Sequence, residues 1–441
     1  MRNPDTQVII IGAGAAGLAA ADELSRAGCA ALLVEARDRL GGRIWSPREP
    51  SLPVPIELGA EFIHGDAPAT VSVLRKAGLA ALDAGGEHWT LRNGVLARSE
   101  DLLAQIQQAI RKTSALKERD MSFDAFLDRH LSRMLPPEGC AYARMFAQGF
   151  DAADTSRASA RAIVEEWAGG GSVNAGQYRP LGGYGAMLEH LAATLRSSSV
   201  NLQLNTVVQT VRWSRHAVEV AGTFLGRTFK ATAKRAIVTL PLGVLQASVR
   251  EHGAVRFTPR LAAKRDALEH LASGPVLKVL LKFREAFWER LAGGRYRGVS
   301  FFHPREALFP TFWTALPVRL PLMVAWAAGP NADRLRNASK AEIIDHALAS
   351  LAELFGERDR IEKLLEGAWV HDWQRDPYAR GAYSYVKVGG GEARKQLAEP
   401  IRQTLYFAGE ATDTDGEAGT VAGALQSGTR AAREVIDSLP K

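Results

Sequence analysis

A lysine inside an apolar run is a group with chemistry to offer: neutral, it takes up a proton or orders a water, and charged, it faces an anion. Lys278 sits in such a run, "GPVLKVLLKF", Gly274 to Phe283. At the strand period of two, Leu277, Val279, Leu281 and Phe283 share one face, and Val276, Lys278, Leu280 and Lys282 share the other. Two readings stand open. The plainer is a solvated outer face, because lysines are almost never fully buried unless paired or functional. The other is a buried lysine with work to do.

A second set of residues could hold a phosphate. "GAGAAG", Gly12 to Gly17, lies between the β-branched run "QVIII" and the helical "AAGLAAADELSRAG", which ends at Gly28, and "AALLVE" follows as a second buried strand. In this strand, turn, helix, strand unit Gly12 permits the tight turn, and Gly14 lets a pyrophosphate approach the backbone beside Ala16. Gly17 lets helix and strand pack closely. Glu35 ends the next strand, 18 residues beyond Gly17, where a carboxylate accepts from ribose hydroxyls and disfavours a 2′-phosphate. The turn alone does not distinguish NAD from FAD. Its continuation "EARDRLGGRIW" carries Ala36, Arg37, Gly42 and Arg43, which offer backbone donors and a guanidinium to the pyrophosphate and flavin side of an elongated FAD. Near the C-terminus "YFAGEAT" supplies a strand, a glycine turn at Gly409 and Glu410, and a helix starts near Thr420 and Val421. A helix N-terminus aimed at a flavin carbonyl stabilises the anionic reduced ring.

The elements that must position these residues follow from composition and period. At 441 residues the chain is long enough for two or three domains with well-developed cores. The net charge of +7 comes from 55 basic and 48 acidic side chains scattered singly or in short pairs, so nucleic-acid binding has little support. Only Cys29 and Cys140 are present, which excludes a disulfide framework or a cysteine-rich metal site; no metal is expected, and a cytoplasmic location is. The run "VIIIGAGAAGLAAA" is read as the glycine turn rather than a leader, and no apolar stretch elsewhere reaches membrane-spanning length. From about 70 to 195 the pattern is helical ("SVLRKAG", "DLLAQIQQAIRK", "SFDAFLDRHL", "GAMLEHLAATL"), and from about 200 strands return ("LQLNTVVQTVRW", "RAIVTLP"). An aromatic-rich mixed region follows, then "TLYFAGEATD" and the helix "TVAGALQSGTRAAREVIDSL". Strands that return after a helical stretch predict one domain assembled from separate segments, with a second domain inserted.

The chain resembles the flavin-containing amine oxidases: monoamine oxidases, polyamine oxidases and flavin-dependent histone demethylases. The resemblance spans nearly the whole chain. It rests on the glycine turn with Glu35 and "DRLGGR", "ELGAEFIHG", "LNTVVQTV", "VTLPLGVL", "LKVLLKF", "WQRDPYARGAYSYV", and "FAGEAT" with "GTVAGALQSG", in that order. It implies an α/β fold with a doubly wound, Rossmann-like FAD-binding domain from residues 1–75, 195–270 and 395–441. Residues 76–194 and 271–394 would form an α+β substrate domain, a mixed sheet with flanking helices. It implies that Gly59, Ala60 and Glu61 border the cofactor, that the backbone of Val208 meets the adenine, and that Lys278 holds a water against flavin N5. Burial at a domain interface would lower that lysine's pKa and keep it neutral near about pH 8, with Lys282 as the solvated neighbour. Trp373 and Tyr383 match the aromatic residues that flank the flavin, with core packing as the other reading of each. His64 resembles the polyamine oxidase histidine over the substrate channel, and a structural histidine is its alternative.

Two departures bear on the branch. Ala382 stands where monoamine oxidases carry the cysteine that bonds the flavin, and Thr420 stands in place of a second tyrosine. Non-covalent FAD and the polyamine oxidase and demethylase branches are therefore expected. Asp413, Asp415 and Glu417 in "TDTDGEAG" read as a solvated acidic loop, or as a negative channel mouth. The expected reaction is oxidation of an amine, a polyamine or diamine, by hydride transfer to flavin N5, giving imine, aldehyde and, with oxygen, hydrogen peroxide. A monoamine or L-amino-acid oxidase is the alternative of the same class, and a non-catalytic flavin-holding regulator that of another. The expected partners are the small amine and molecular oxygen.

Overall fold

The computed structural model describes residues 5–99, 102–168, 176–196 and 198–439. Strand β1 (Thr6–Ile11) runs parallel between β2 (Ala31–Val34) and the strand Arg227–Val238, with Ile10 opposite Leu33 and Ile237. Helix α1 (Ala15–Arg26) crosses between β1 and β2. The eight-stranded sheet takes its strands from three separated stretches of chain: β1 and β2, then five strands between Val200 and Thr258, and finally Leu405–Phe407. β1 is apolar along its length because both of its faces are covered. Val8 and Ile10 pack under α1, the helix Gly183–Leu195 and the C-terminal helix Val421–Asp437. Ile9 and Ile11 pack with Val208, Val211, Val218 and Val220 of the antiparallel strands Thr206–Ser214 and Ala217–Phe224.

A second sheet of seven strands has the order Leu365–Asp372, Val276–Phe283, Leu322–Ala328, Thr311–Thr314, Val299–His303, Glu87–Arg92, Val95–Arg98. It is mixed: Val299–His303 runs parallel to Glu87–Arg92, and the other neighbours are antiparallel. The helical expectation for 70 to 195 is corrected here, because strands Ala81–Asp83, Glu87–Arg92, Val95–Arg98 and Gln177–Pro180 interrupt it. Its four named helices do form, "SFDAFLDRHL" as a short α-turn running into a π-helical one. Longer helices beside this sheet include Pro137–Phe150, Ala160–Ala168 and Lys340–Phe355.

The strand bearing Lys278 lies inside this sheet and has no solvated face. Leu277, Val279, Leu281 and Phe283 pack with Ile343, Ala347 and Leu351 of Lys340–Phe355. On the opposite face Leu280 joins Ile56, Leu58 and Trp313. Burying each such leucine is worth about 1.5–3 kcal/mol, so the strand is held in place by its neighbours on both sides. Lys278 is 2% exposed, which overturns the outer-face reading.

Candidate active site

One cavity of about 1640 Å³ runs from the glycine turn to the face of the second sheet that carries Lys278. Gly12, Gly14 and Ala16 line it, together with Glu35, Ala36, Arg37, Gly42, Arg43, Gly59, Ala60, Val208, Gly409, Glu410, Thr420 and Val421. Gly17 lies behind this wall, where a Cβ would collide with the Gly12 carbonyl oxygen; the glycine there is a packing requirement. Gly14 is the N-cap of α1 and no side chain caps that helix, so the unpaired amides of its first turn are left for a ligand. Glu35 is buried at the end of β2, accepting from the amide of Ala13 at 2.8 Å and that of Arg37 at 3.0 Å. Each oxygen keeps a lone pair for a ribose hydroxyl. The amide of Thr206 bonds the Glu35 carbonyl, which brings the strand bearing Val208 to the same wall.

Arg43 reaches across the wall: its Nη1 donates to Glu410 at 2.9 Å and to the Ala382 carbonyl, tying three distant segments together. Burial pushes the Glu410 carboxyl up, and the charges of Arg43 and Arg394 with the Ser384 hydroxyl outweigh it and hold it below its ordinary value. Thr420 caps the C-terminal helix, accepting from the Gly423 amide at 3.1 Å and donating to the Glu417 carbonyl at 2.6 Å. Open backbone at Gly14, uncapped helix amides and a fixed Glu35 on one wall suit the pyrophosphate and ribose of a dinucleotide.

Lys278 Nζ lies 2.6 Å from Glu61 Oε2 and 3.1 Å from the Gly59 carbonyl. Burial of the amine therefore comes with a carboxylate in direct contact. Glu61, expected beside the cofactor, does line the cavity, but its oxygens accept from Lys278, from Arg179 Nε at 2.8 Å and from the Trp313 indole at 3.1 Å. Burial pushes its carboxyl up, and Lys278 and Arg179 outweigh that and hold it below its ordinary value. Lys282, expected to be solvated, is half-buried and paired with Glu366 at 3.0 Å, away from the cavity wall.

Trp373 is buried with its indole donating to the Leu58 carbonyl at 2.9 Å, and it still borders the cavity. Tyr383 donates to the Phe150 carbonyl at 2.7 Å, and burial, then the nearby Asp151 and Glu166, pushes its phenol well above the ordinary range. The His64 ring sits between Phe62 and Phe150, with centroids at 5.9 and 5.3 Å, and burial pushes it down to about 4, so it faces the cavity neutral at pH 7. The acidic loop is not uniformly solvated: Asp413 is buried and turned inward, accepting from the amides of Asp415 and Glu417, while Asp415 is exposed and Glu417 half-buried.

Sequence reasoning missed the carboxyl pair Asp151 and Glu166 on the cavity wall, each pushed up by burial, Asp151 also by the charge of Glu166. Asp151 follows the end of helix Pro137–Phe150 and Glu166 lies in Ala160–Ala168, so they form no spacing motif and only the fold brings them together. Neither Cys29 nor Cys140 is on the cavity wall. Among the described residues no cluster suited to a metal is found, and no helix is long and apolar enough to cross a membrane.

Residues 15–436 match the family described as flavin containing amine oxidoreductase. The chain belongs to that family. Its cofactor is FAD, and the wall just described fits it. Among curated proteins, the Lysine-specific histone demethylase 1 homolog 3 of Arabidopsis thaliana is 29% identical across 99% of this chain, and this chain spans 30% of that protein's length. Polyamine oxidase 4 of Oryza sativa subsp. japonica is 27% identical over 97% of this chain and 88% of its own length. Among solved structures, wild-type putrescine oxidase bound to putrescine superposes with a TM-score of 0.79 at 22% identity, covering 98% of this chain and 99% of that one. That likeness shows the fold: a Rossmann-like cofactor sheet joined to a mixed substrate sheet, as the sequence predicts.

Proposed function

We propose that this protein oxidises the C–N bond of a small amine bearing a second positive charge, a diamine or polyamine. The observation that carries the reading is the continuity of the cavity, from the glycine turn past Lys278, Trp373 and Tyr383 to the buried carboxyls of Asp151 and Glu166. When bound, FAD would supply a two-electron acceptor for the amine α-carbon, with oxygen as the terminal oxidant. In this reading the chain's own residues orient and exclude. Trp373 and Tyr383 confine the reacting carbon between aromatic walls, and tight approach lowers the barrier. His64, held neutral, leaves the reacting nitrogen free of a like charge. Asp151 and Glu166 give a distal ammonium a polar partner, without which burying it costs several kcal/mol. We assign the cofactor half to the described residues within 1–75, 195–270 and 395–441 and the substrate half to those within 76–194 and 271–394, except that helix Gly183–Leu195, packed with Val8 and Ile10, goes with the cofactor half. Ala382 on the cavity wall leaves FAD non-covalent, and two unpaired cysteines suit a cytoplasmic enzyme.

A second reading is supported by the demethylase relatives: a methylated lysine side chain on a peptide in place of the free polyamine. An anaerobic screen watching the flavin absorbance separates them. Diamines and polyamines bleach the flavin under the first reading, methylated-lysine peptides under the second, and free amino acids under an amino-acid oxidase. Absence of bleaching by any of these leaves the flavin-holding regulator.

A further inference from the structure

Glu61 accepts hydrogen bonds from Lys278, Arg179 and Trp313, side chains carried by three separate strands. Arg179 is itself fixed by the carbonyls of Leu316 and Thr314, the latter at 3.0 Å, and lies 4.5 Å over the Phe62 ring. The carboxylate cannot swing away from Lys278 without abandoning two other donors, each of which would be left buried and unpaired at a cost. Nζ spends one N–H on Glu61 at 2.6 Å and a second on the Gly59 carbonyl at 3.1 Å. What is left for the cavity depends on charge. An ammonium keeps a third N–H, whereas an amine keeps a lone pair.

We propose that Glu61 is a positioning residue for Lys278, holding it as the ammonium half of an ion pair so that an N–H donor, not a lone pair, faces the cavity. A contact of 2.6 Å is in the range of a charge-assisted hydrogen bond. The other charged groups around Lys278 do not replace Glu61. Arg179 is a like charge. Glu57 is turned to Ser46 and to the amide of Tyr184, and burial pushes its carboxyl up to about 8. His371, the cross-strand neighbour of Lys278, bonds Asp376 at 2.9 Å, and Lys282 on the same strand pairs with Glu366. The inference rests on Lys278 being the working lysine of the proposed reaction.

The test is a pH titration of the holoenzyme from neutral into alkaline solution, reading the resting flavin absorbance and the anaerobic reduction rate by a diamine. The ionisation that vanishes in Lys278→Met belongs to Lys278. In Glu61→Gln it moves to lower pH by about 1–3 units, a roughly 10- to 1,000-fold loss of proton affinity. Glu61→Asp, which keeps the charge and sets it back by one methylene, moves it the same way by less. In the Lys278→Met background Glu61→Gln brings back no ionisation at lower pH. An unmoved ionisation in a Glu61→Gln protein that retains FAD overturns the proposal; if that variant does not hold FAD, an unmoved ionisation in Glu61→Asp overturns it. A Lys278→Met enzyme indistinguishable from wild type sinks instead the reading of Lys278 on which the inference rests.

Discussion

Lys278 and Lys282 occupy the same face of one strand, yet the fold gives them different surroundings. Lys278 is buried on the cavity wall, and Lys282 lies away from it, paired with Glu366. Lys278→Met keeps approximate size and removes the nitrogen. It should leave the flavin spectrum and FAD content intact and slow reduction or reoxidation by about 10²-fold or more. Lys282→Met, which loses a part-exposed pair worth under about 1 kcal/mol, should be nearly silent in the same stopped-flow measurement. The lysine was legible in the sequence as an anomaly in an apolar run; Glu61 as its partner was not, because the contact joins a loop and a strand far apart in the chain. His64 offers a second check. Its folded value of about 4 lies below its ordinary 6.5, so the unfolded chain binds more protons between those values and stability falls as pH drops through that window. Urea midpoints of His64→Gln should therefore decline less between pH 6.5 and 4 than those of wild type; parallel decline would place the acid sensitivity elsewhere.

At the scale of elements, what was legible was local. β1, α1 and β2 were readable because a glycine-punctuated turn separates two period signals. The C-terminal helix begins at Thr420 as its sequence implies. The strands within 76–194 were masked by helix-forming neighbours, although "RNGV" held the signal: Asn93 and Gly94 both adopt positive φ and make the two-residue turn of the hairpin Glu87–Arg98. The helix Lys340–Phe355 was equally announced by Ser339 and Glu342, which form a capping box. Strand order was not legible, because pairing across hundreds of residues leaves no local mark. The contact between α1 and the C-terminal helix belongs to this scale. A Cβ at Gly428 would meet the backbone of Ala16, so Gly428→Ala should force the two helices apart at a cost of about 1–3 kcal/mol. Because α1 follows the glycine turn on the cavity wall, the same variant should lower both the melting temperature and the FAD retained through gel filtration. Loss of one without the other would separate the packing of the helix from the shape of the cradle.

For the whole molecule, the two sheets matter because the cavity between them is continuous, holding a cofactor cradle at one end and aromatic, histidine and carboxyl groups at the other. FAD held by the cradle alone should appear intact in the supernatant after acid precipitation, and flavin that stays with the protein would contradict a non-covalent site. Substrate choice turns most directly on the second charge of the amine. Anaerobic stopped flow with 1,4-diaminobutane and with butylamine compares two amines on the same four-carbon chain, one of which carries a second ammonium. The expected outcome is that the diamine reduces the flavin with a second-order rate constant higher by about tenfold or more, the equivalent of about 1.4 kcal/mol from its distal ammonium. Equal rates, or faster reduction by butylamine, would contradict it.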